Sequence, residues 1–420
     1  MTTISIPAVR LPARPRPSIR AEVARRILTA VAGRVPVDVR LPDGSLLDGG
    51  SPDVDVRPVL EVVRPDALYR RIAAHPKIGI GEGYVAGDWR AGAGTDLAQL
   101  LLPFAERLTD VLPPALTRLR RLVDRPIPSA HRNSLLGARR NIESHYDLSN
   151  DLFAAFLDET MTYSSALFDE ARPYADQDLV EAQMRKVRAV LDLAGVQSGT
   201  RLLEIGTGWG SLAVEAARRG ATVTTVTLSV EQAALAQERA DAAGLGHLVE
   251  IRLQDYRQVR GTFDAVVSVE MIEAVGEEYW PTYFGAIDRV LRPGGVAAIQ
   301  GILMGHDRYQ ATRHSYGWIQ KHIFPGGLIP SLQAISETVE QHTELRVTQV
   351  HAFGRHYAET LRRWRRSFLA SWPEIYGPGF DEEFRRKWEF YLAYCEAGFD
   401  AGYLDVAHIR LTRPSRGGVA

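Results

Sequence analysis

The feature that most constrains the fold is a regular alternation of apolar runs and helical patterns from residue 200 onwards. Repeated strand and helix units of this length form a mostly parallel sheet with helices on both faces. Ser229 can cap the second helix with its hydroxyl, and Arg292-Pro293-Gly294-Gly295 predicts a tight turn. We predict strands at 200–205, 221–227, 247–253, 263–269 and 296–302, and helices at 208–219, 230–243 and 279–291. The second half is therefore predicted to be a doubly wound α/β core.

The first predicted strand runs into a loop with glycine at alternate positions, Gly206, Gly208 and Gly210, preceded by Glu204 and containing Trp209. Glycine lets the backbone approach a ligand closely, and the following helix start offers free N–H groups. A dinucleotide site would need G-x-G-x-x-G and an acidic residue about 20 positions later, and neither occurs. The spacing instead favours S-adenosylmethionine.

Polar side chains follow the next two predicted strands and strengthen this interpretation. Hydroxyl and amide groups after the second strand can reach a ribose, while Asp255 can accept from an adenine amino group beside the Tyr256 ring. The alternative is that Asp255 is a solvated cap and Thr227 a turn residue. The candidate cofactor residues in these two segments are Thr227, Leu228, Ser229, Gln232, Gln254, Asp255 and Tyr256.

The first half has a different organisation. Residues 1–18 mix arginine and proline without the apolar run of a secretory signal, so we predict a disordered tail. Residues 19–123 predict a small α+β domain, with a helix at 21–32, strands at 35–41 and 56–63, and glycine-rich punctuation at 78–87. A proline-containing linker at 124–140 then leads to the larger domain at 141–420.

Charge and cysteine content exclude several function classes. Fifty basic and 51 acidic side chains give a net charge of -1, so no global field recruits nucleic acid. No run of about 18 apolar residues occurs, so no membrane-spanning helix is expected. One cysteine, Cys395, excludes an internal disulfide or a multi-cysteine metal site and suits the cytoplasm. No metal is expected.

Separated motifs in one order give the chain a specific resemblance. On these motifs, residues 55–413 resemble the cyclopropane-fatty-acid-phospholipid synthase family. The resemblance implies a class I methyltransferase fold, a sterol-carrier-like amino-terminal domain that associates with lipid, and methylation of a cis double bond in a phospholipid acyl chain. It also implies that Tyr163 and Ser164 lie against the cofactor, and Glu270 is a further candidate for cofactor binding. The motifs are HYDLSND at 145–151, MTYS at 161–164, the glycine loop, TLS at 227–229 with Gln232, EMIEAVG at 270–276, IFPGG at 323–327, FG at 353–354, HY at 356–357 and CEAGF at 395–399.

The same resemblance raises the question of which group acts as the base that removes a proton after methyl transfer. Family members hold a bicarbonate ion as the base with cysteine, glutamate, histidine and tyrosine, and the matching positions here are Ser165, Glu273, Gln300 and Tyr357. Either bicarbonate is held differently, or a protein carboxylate does its work, with Glu143 or Glu273 as candidates. The placement of the base selects the product, because direct proton loss from the added methyl closes a cyclopropane, whereas a prior hydride shift leaves an exocyclic methylene. The altered site slightly favours the methylene, which a reductase partner would convert to a methyl branch.

Several further residues are candidates for either structural or chemical roles. For His145 and His356, a structural role and a chemical role are equally supported. Cys395 is a catalytic candidate on motif grounds, but alkene methylation needs no thiolate, so structural packing is the preferred interpretation. Aromatic side chains that could line the pocket and stabilise a cation are Tyr163, Phe168, Tyr316, Trp318 and Tyr357.

An acyl substrate implies contact with a membrane. Residues 361–369 have the pattern of an amphipathic helix on an anionic surface, with Trp364 at the interface. The alternative is a solvated helix face paired to acids such as Glu382 and Glu383. A second basic patch lies at 118–125, and a homodimer is expected from the related synthases. A lipid-binding protein without turnover is the rival function, and loss of affinity for S-adenosylmethionine would favour it.

Overall fold

The computed structural model describes residues 19–47, 57–107, 128 and 150–415. Candidate residues Glu143 and His145 lie outside the described residues, as do the predicted tail, the basic patch at 118–125 and all of the predicted linker except residue 128. Within the described ranges, no helix combines the length and the apolar character that a bilayer crossing demands.

The described residues of the amino-terminal region, 19–47 and 57–107, form four helices and a small sheet. The helix predicted at 21–32 is confirmed as the first of them. In the sheet, β2 pairs parallel with β1 and antiparallel with β3. The elements are α1 (Ile19–Ala32), β1 (Asp38–Arg40), β2 (Val59–Val62), α2 (Pro65–Ala74), α3 (Pro76–Ala86), β3 (Trp89–Ala91) and α4 (Leu97–Glu106).

The sequence predicted that the glycine-rich segment 78–87 interrupts regular structure. This prediction is wrong, because most of the segment is the helix α3. Its glycines serve close packing. A Cβ at Gly79 would lie 2.4 Å from the backbone carbonyl carbon of Arg71, and one at Gly81 would lie 2.6 Å from the Trp318 indole ring. Glycine weakens an isolated helix, but here it is the only residue that lets neighbouring elements approach this closely.

We expect Gly79→Ala to destabilise the protein by about 2 kcal/mol, although alanine has the higher helix propensity, because the added methyl collides with backbone. The matched control is Gly285→Ala, inside another helix, where a Cβ meets nothing within 4 Å. That variant should be stabilised by about 0.5–1 kcal/mol. Urea denaturation of both variants measures the difference, and equal shifts of the same sign would contradict this account.

The larger unit is built on a seven-stranded sheet with the order β6-β5-β4-β7-β8-β10-β9. β10 runs antiparallel to both of its neighbours, β8 and β9, whereas the other strand pairs of this sheet are parallel. The inner strands are buried on both faces, as parallel strands under two helical layers should be. The strands are β4 (Arg201–Ile205), β5 (Thr222–Thr227), β6 (Val249–Leu253), β7 (Phe263–Val269), β8 (Leu291–Met304), β9 (Arg346–Ala352) and β10 (Leu404–Thr412). The predicted doubly wound, mostly parallel core is confirmed.

The predicted turn at 292–295 is not a separate connection but an interruption within strand β8. The pairing register shifts there, since Phe263 faces Leu291 whereas Ala265 faces Val296. Gly294 takes a positive φ of 74° in this bulge, a conformation that glycine adopts without strain. The strand is therefore longer than the sequence pattern indicates.

Helices cover both faces of the sheet and join it to the amino-terminal region. One continuous buried cluster includes Leu28 of α1, Trp89 of β3, Trp364 and Trp388. The helices are α5 (Asn150–Phe156), α6 (Leu179–Leu193), α7 (Ser211–Arg218), α8 (Val230–Ala242), α9 (Ile272–Val275), α10 (Trp280–Val290), α11 (His306–Thr312), α12 (Trp318–His322), α13 (Leu332–His342), α14 (Gly354–Ile375) and α15 (Glu382–Asp400).

The predicted membrane helix at 361–369 is wrong, because this part of α14 packs inside the protein. Trp364 is fully buried, and the Arg362 and Arg365 guanidinium groups pair with Glu396. Pairing with acids was the alternative, but the partners differ from Glu382 and Glu383, the acids that the sequence suggested. The arginine-rich pattern reflects an internal ionic network rather than a lipid-facing surface.

Candidate active site

A cavity of about 1480 Å³ opens at the carboxyl ends of β4, β5 and β7. It begins at the glycine loop, passes Glu273 and Cys395, and continues between apolar side chains such as Val31 of α1 and Phe104 of α4. Pockets for drug-sized ligands are commonly about 300–1,000 Å³, so this cavity has room for more than a nucleoside cofactor. Polar residues around the glycine loop and apolar side chains of the amino-terminal region thus line one cavity.

The structure brings together the cofactor residues that the sequence predicts. Only Gly210 and Ser229 of that set do not line the cavity. Gly210 directly precedes α7, and a Cβ added there would lie 3.0 Å from Ala236. The Ser229 hydroxyl accepts from the Gln232 backbone N–H, which is the predicted helix cap. The lining residues are Tyr163, Ser164, Glu204, Gly206, Gly208, Trp209, Thr227, Leu228, Gln232, Gln254, Asp255, Tyr256 and Glu270.

The glycine loop has the backbone that a close ligand contact requires. Gly206, Gly208 and Gly210 have φ values of 95°, 51° and 91°, a region that other residues seldom adopt. A Cβ at Gly208 would meet no protein atom within 4 Å, although the residue lines the cavity. The open space beside Gly208 fits the backbone approach that a bound S-adenosylmethionine requires.

The carboxyl group of Glu204 lies beside this loop, and the described residues do not satisfy all of its hydrogen bonds. The residue is 4% exposed, and its Oε2 atom has no hydrogen-bond partner among the described residues. Burial raises the pKa of Glu204 to about 8, against hydrogen bonding from Thr225 and the charge of Lys186. A ligand that carries a cationic or donor group would satisfy Oε2, which fits S-adenosylmethionine.

Lys186 is a site residue that the sequence interpretation missed. It is 1% exposed, and its Nζ donates to the Ser164 hydroxyl at 2.5 Å. Burial lowers the pKa of Lys186 to about 8, despite the nearby carboxylates of Glu270 and Glu204. Its position on the apolar face of α6, one residue before the buried Val187, was the available signal.

Two of the polar cofactor residues already have protein partners. Both Asp255 carboxylate oxygens accept from Arg257, at 2.6 Å and 2.8 Å from guanidinium nitrogens. The Thr227 hydroxyl donates to the Gln232 side-chain oxygen at 2.8 Å. Carboxylate oxygens each accept more than one bond, so Asp255 keeps capacity for an adenine amino group.

Three of the four residues expected around the base converge on Glu270. Glu270 Oε1 accepts from the Ser165 backbone N–H at 2.9 Å and from Gln300 Nε2 at 2.8 Å. Glu270 Oε2 accepts from the Tyr357 hydroxyl at 2.6 Å. The sequence interpretation assigned Glu270 to the cofactor and did not identify this cluster.

His408 orients the amide of Gln300 in this cluster, and sequence analysis missed it too. Its Nε2 lies 2.9 Å from Gln300 Oε1, and the residue itself is only 4% exposed. Burial lowers the pKa of His408 to about 3, so the ring is neutral and donates one N–H to that oxygen. The amide nitrogen is thereby directed at Glu270.

Glu273 lines the cavity outside this cluster. One of its oxygens accepts from the Ile302 backbone N–H, and Oε2 has no partner among the described residues. Burial and the neighbouring Glu270 charge raise the pKa of Glu273 to about 8. Most of this carboxyl is therefore protonated at neutral pH.

The remaining candidates divide between the cavity and the core. His356 is buried, with Nδ1 accepting from the Phe168 backbone N–H at 2.8 Å, and burial lowers its pKa. Phe168 stacks on Tyr174 away from the cavity, unlike the other predicted aromatic residues. Cys395 lines the cavity, and burial raises the pKa of its thiol to about 12.

Comparisons with known proteins agree with this geometry. A sequence model of the family described as "Mycolic acid cyclopropane synthetase" matches residues 134–409. The chain is 51% identical over 411 residues to "Tuberculostearic acid methyltransferase UfaA1" of Mycobacterium tuberculosis, covering 97% of this chain and 95% of that protein. It is 33% identical over 390 residues to "Cyclopropane-fatty-acyl-phospholipid synthase" of Escherichia coli, covering 90% and 92%.

Solved structures show the same relationship. The cyclopropane synthase MmaA2 from Mycobacterium tuberculosis matches with a TM-score of 0.60 and 30% identity, covering 65% of this chain and 98% of that chain. The mycolic acid cyclopropane synthase CmaA1, complexed with SAH and CTAB, matches with a TM-score of 0.58 and 29% identity, covering 65% and 98%. The chain therefore belongs to the mycolic acid cyclopropane synthetase family and is an S-adenosylmethionine-dependent C-methyltransferase.

Proposed function

We propose that this enzyme methylates the cis double bond of an unsaturated phospholipid acyl chain and leaves a methylene branch in mid-chain. The observation that carries the proposal is the cavity itself, which joins the glycine loop to apolar walls supplied by α1 and α4. A cofactor alone needs only the polar residues around the glycine loop. Apolar walls in the same cavity suit an acyl chain.

The residues of the cavity account for the main chemical demands. S-adenosylmethionine would supply an electrophilic methyl group, and Glu204 and the glycine loop would hold this cofactor. An alkene is a poor nucleophile, so the apolar walls must align the double bond and exclude water before a carbocation forms. Tyr163 and Tyr357 line the same cavity, and their aromatic rings would stabilise a cation there.

The methylene product is supported by the relative with 51% identity, whose name is that of a methyltransferase for tuberculostearic acid. That acid carries a methyl branch rather than a ring. A reductase would then have to saturate the methylene group. The alternative product is a cyclopropane, as in the name of the Escherichia coli relative.

The proposal includes a transient contact with an anionic membrane from the cytoplasmic side. Ile19 and Val23 of α1 are 86% and 50% exposed, and Val23 also lines the cavity. An acyl chain could leave the bilayer at this end. The expected homodimer is part of the same proposal, because paired surfaces would bind a membrane together.

The test is to incubate the purified enzyme with dioleoyl phosphatidylglycerol vesicles and methyl-labelled S-adenosylmethionine. The ring and methylene products have equal mass, so ¹H NMR of the released fatty acids must distinguish them. We expect label in the acyl chain and exocyclic methylene protons, with none in distearoyl vesicles. A ring alone would support the cyclopropane alternative, and lipid binding without labelled product would overturn the proposal in favour of a lipid carrier.

A further inference from the structure

We propose that the carboxylate of Glu270 is the proton acceptor of the reaction and fills the place in which a bicarbonate ion was expected. This inference rests on the proposed function. It makes the base a part of the protein and the reaction independent of bicarbonate.

The hydrogen bonds around Glu270 are those of a built anion site. A backbone N–H, an amide N–H and a tyrosine hydroxyl, from Ser165, Gln300 and Tyr357, all donate to its two carboxylate oxygens. Bicarbonate and a carboxylate each present two oxygen atoms on one carbon, so the same three donors could bind either anion. The protein's own carboxylate already takes all three, which leaves none of these donors for a free anion.

Glu270 is also placed to reach a substrate. It lines the cavity, and among the described residues Oε2 accepts only from Tyr357, so a lone pair of that oxygen remains for a proton. The backbone of Glu270 has a φ of 51°, rare for a residue with a side chain, and its N–H donates to the Gln300 carbonyl at 2.7 Å. Such strain persists only where the surroundings enforce it, and it concentrates at functional positions.

The neighbouring charges distinguish Glu270 from Glu273. Burial raises the pKa of both carboxyls, but the three donors and the Lys186 charge oppose that rise only at Glu270. The charge of Glu270 instead adds to the rise at Glu273. Both Glu270 oxygens accept hydrogen bonds, as the oxygens of a carboxylate base do. Of these two carboxyls in unlike surroundings, Glu270 is therefore the one assigned as the base.

The proposed step conserves atoms and electrons. The alkene π electrons form the new carbon–carbon bond, and the electron pair of the broken sulfur–methyl bond stays on sulfur. A hydride shift then moves the positive charge to the carbon that bears the methyl group. Glu270 Oε2 takes a proton from this methyl, and the C–H electron pair becomes the exocyclic double bond. The protonated carboxyl returns its proton to water after product release.

The test uses Glu270→Gln, which keeps the shape without the charge, and Glu270→Gly, which empties the site and relieves the positive φ. The matched control is Glu277→Gln, since Glu277 also accepts from a tyrosine hydroxyl, that of Tyr309, but does not line the cavity. A general base commonly contributes about 10²–10⁴-fold, so Glu270→Gln should lose turnover on that order. Its affinity for S-adenosylmethionine, measured by calorimetry, should stay within a few-fold, and Glu277→Gln should retain both.

A second readout does not depend on turnover. Carbon NMR with ¹³C-labelled bicarbonate should show no binding to the wild-type protein and binding to Glu270→Gly, in which the three donors are free. Wild-type turnover should be unchanged in CO₂-depleted buffer, and added bicarbonate should partly restore Glu270→Gly.

Wild-type turnover that requires bicarbonate, bicarbonate binding to the wild-type protein, or full turnover by folded Glu270→Gln would each overturn the inference. A wild-type enzyme that transfers no label to any unsaturated phospholipid would refute the proposed function instead. The NMR comparison would then still decide whether Glu270 fills the anion site.

Discussion

Gly208→Val is expected to weaken S-adenosylmethionine binding by on the order of 100-fold, because overpacking costs about 1–3 kcal/mol and each 1.4 kcal/mol is tenfold in affinity. A Cβ at Gly208 meets no protein atom within 4 Å, so the new side chain does not strain the packing of the free protein. It instead occupies cavity space beside the backbone that a bound cofactor would contact. Calorimetric titration measures the affinity.

The control for this prediction is Gly244→Val. Gly244 also has a positive φ, 70° against 51° at Gly208, and a Cβ there likewise meets nothing within 4 Å. Gly244 does not line the cavity. Both variants therefore carry a similar backbone cost, and only Gly208→Val should lose cofactor affinity. Equal affinities would place the cofactor elsewhere, and equal losses would indicate a general effect on folding.

Arg365→Met is expected to lower the free energy of unfolding by about 3–5 kcal/mol, because it removes one partner of a buried ion pair. Arg365 is 5% exposed, and its guanidinium contacts Glu396 at 3.0 Å and Asp96 at 2.9 Å. Glu396 is 1% exposed and would keep only Arg362 as an ionic partner in the described residues. Asp96 precedes α4, so the same side chain ties the amino-terminal region to α14.

Urea denaturation measures this effect against two further variants. Arg25→Met removes an exposed pair with Glu22 and should cost less than about 1 kcal/mol. Adding Glu396→Gln to Arg365→Met should recover part of the loss, because it removes the charge left without Arg365. If Arg365→Met cost no more than Arg25→Met, the buried network would contribute nothing to stability.

Local sequence patterns predicted the core of the fold well. The strand at 263–269 matches β7, and the predicted strands before the glycine loop and after its helix lie within a few residues of β4 and β5. The Ser229 cap also forms as predicted. These features depend on neighbours in the chain: an apolar run makes a buried strand, and a hydroxyl before a helix reaches its free N–H groups.

Elements that depend on distant partners were missed or misassigned. β9 is largely exposed at the edge of the sheet, so it lacks the apolar pattern of a buried strand. The helix α3 contains glycines because other elements press against it. The arginines of α14 resemble a membrane surface until the acids that pair with them are known.

The amino-acid sequence by itself determined the parallel core, the cofactor loop and the family, since each is written in residues close together in the chain. Only the tertiary structure decided which carboxylate receives the donors of Ser165 and Tyr357, which lie 105 and 87 positions from Glu270. Side-chain hydrogen bonds act over about 3 Å, and chain folding alone brings such distant groups within that distance.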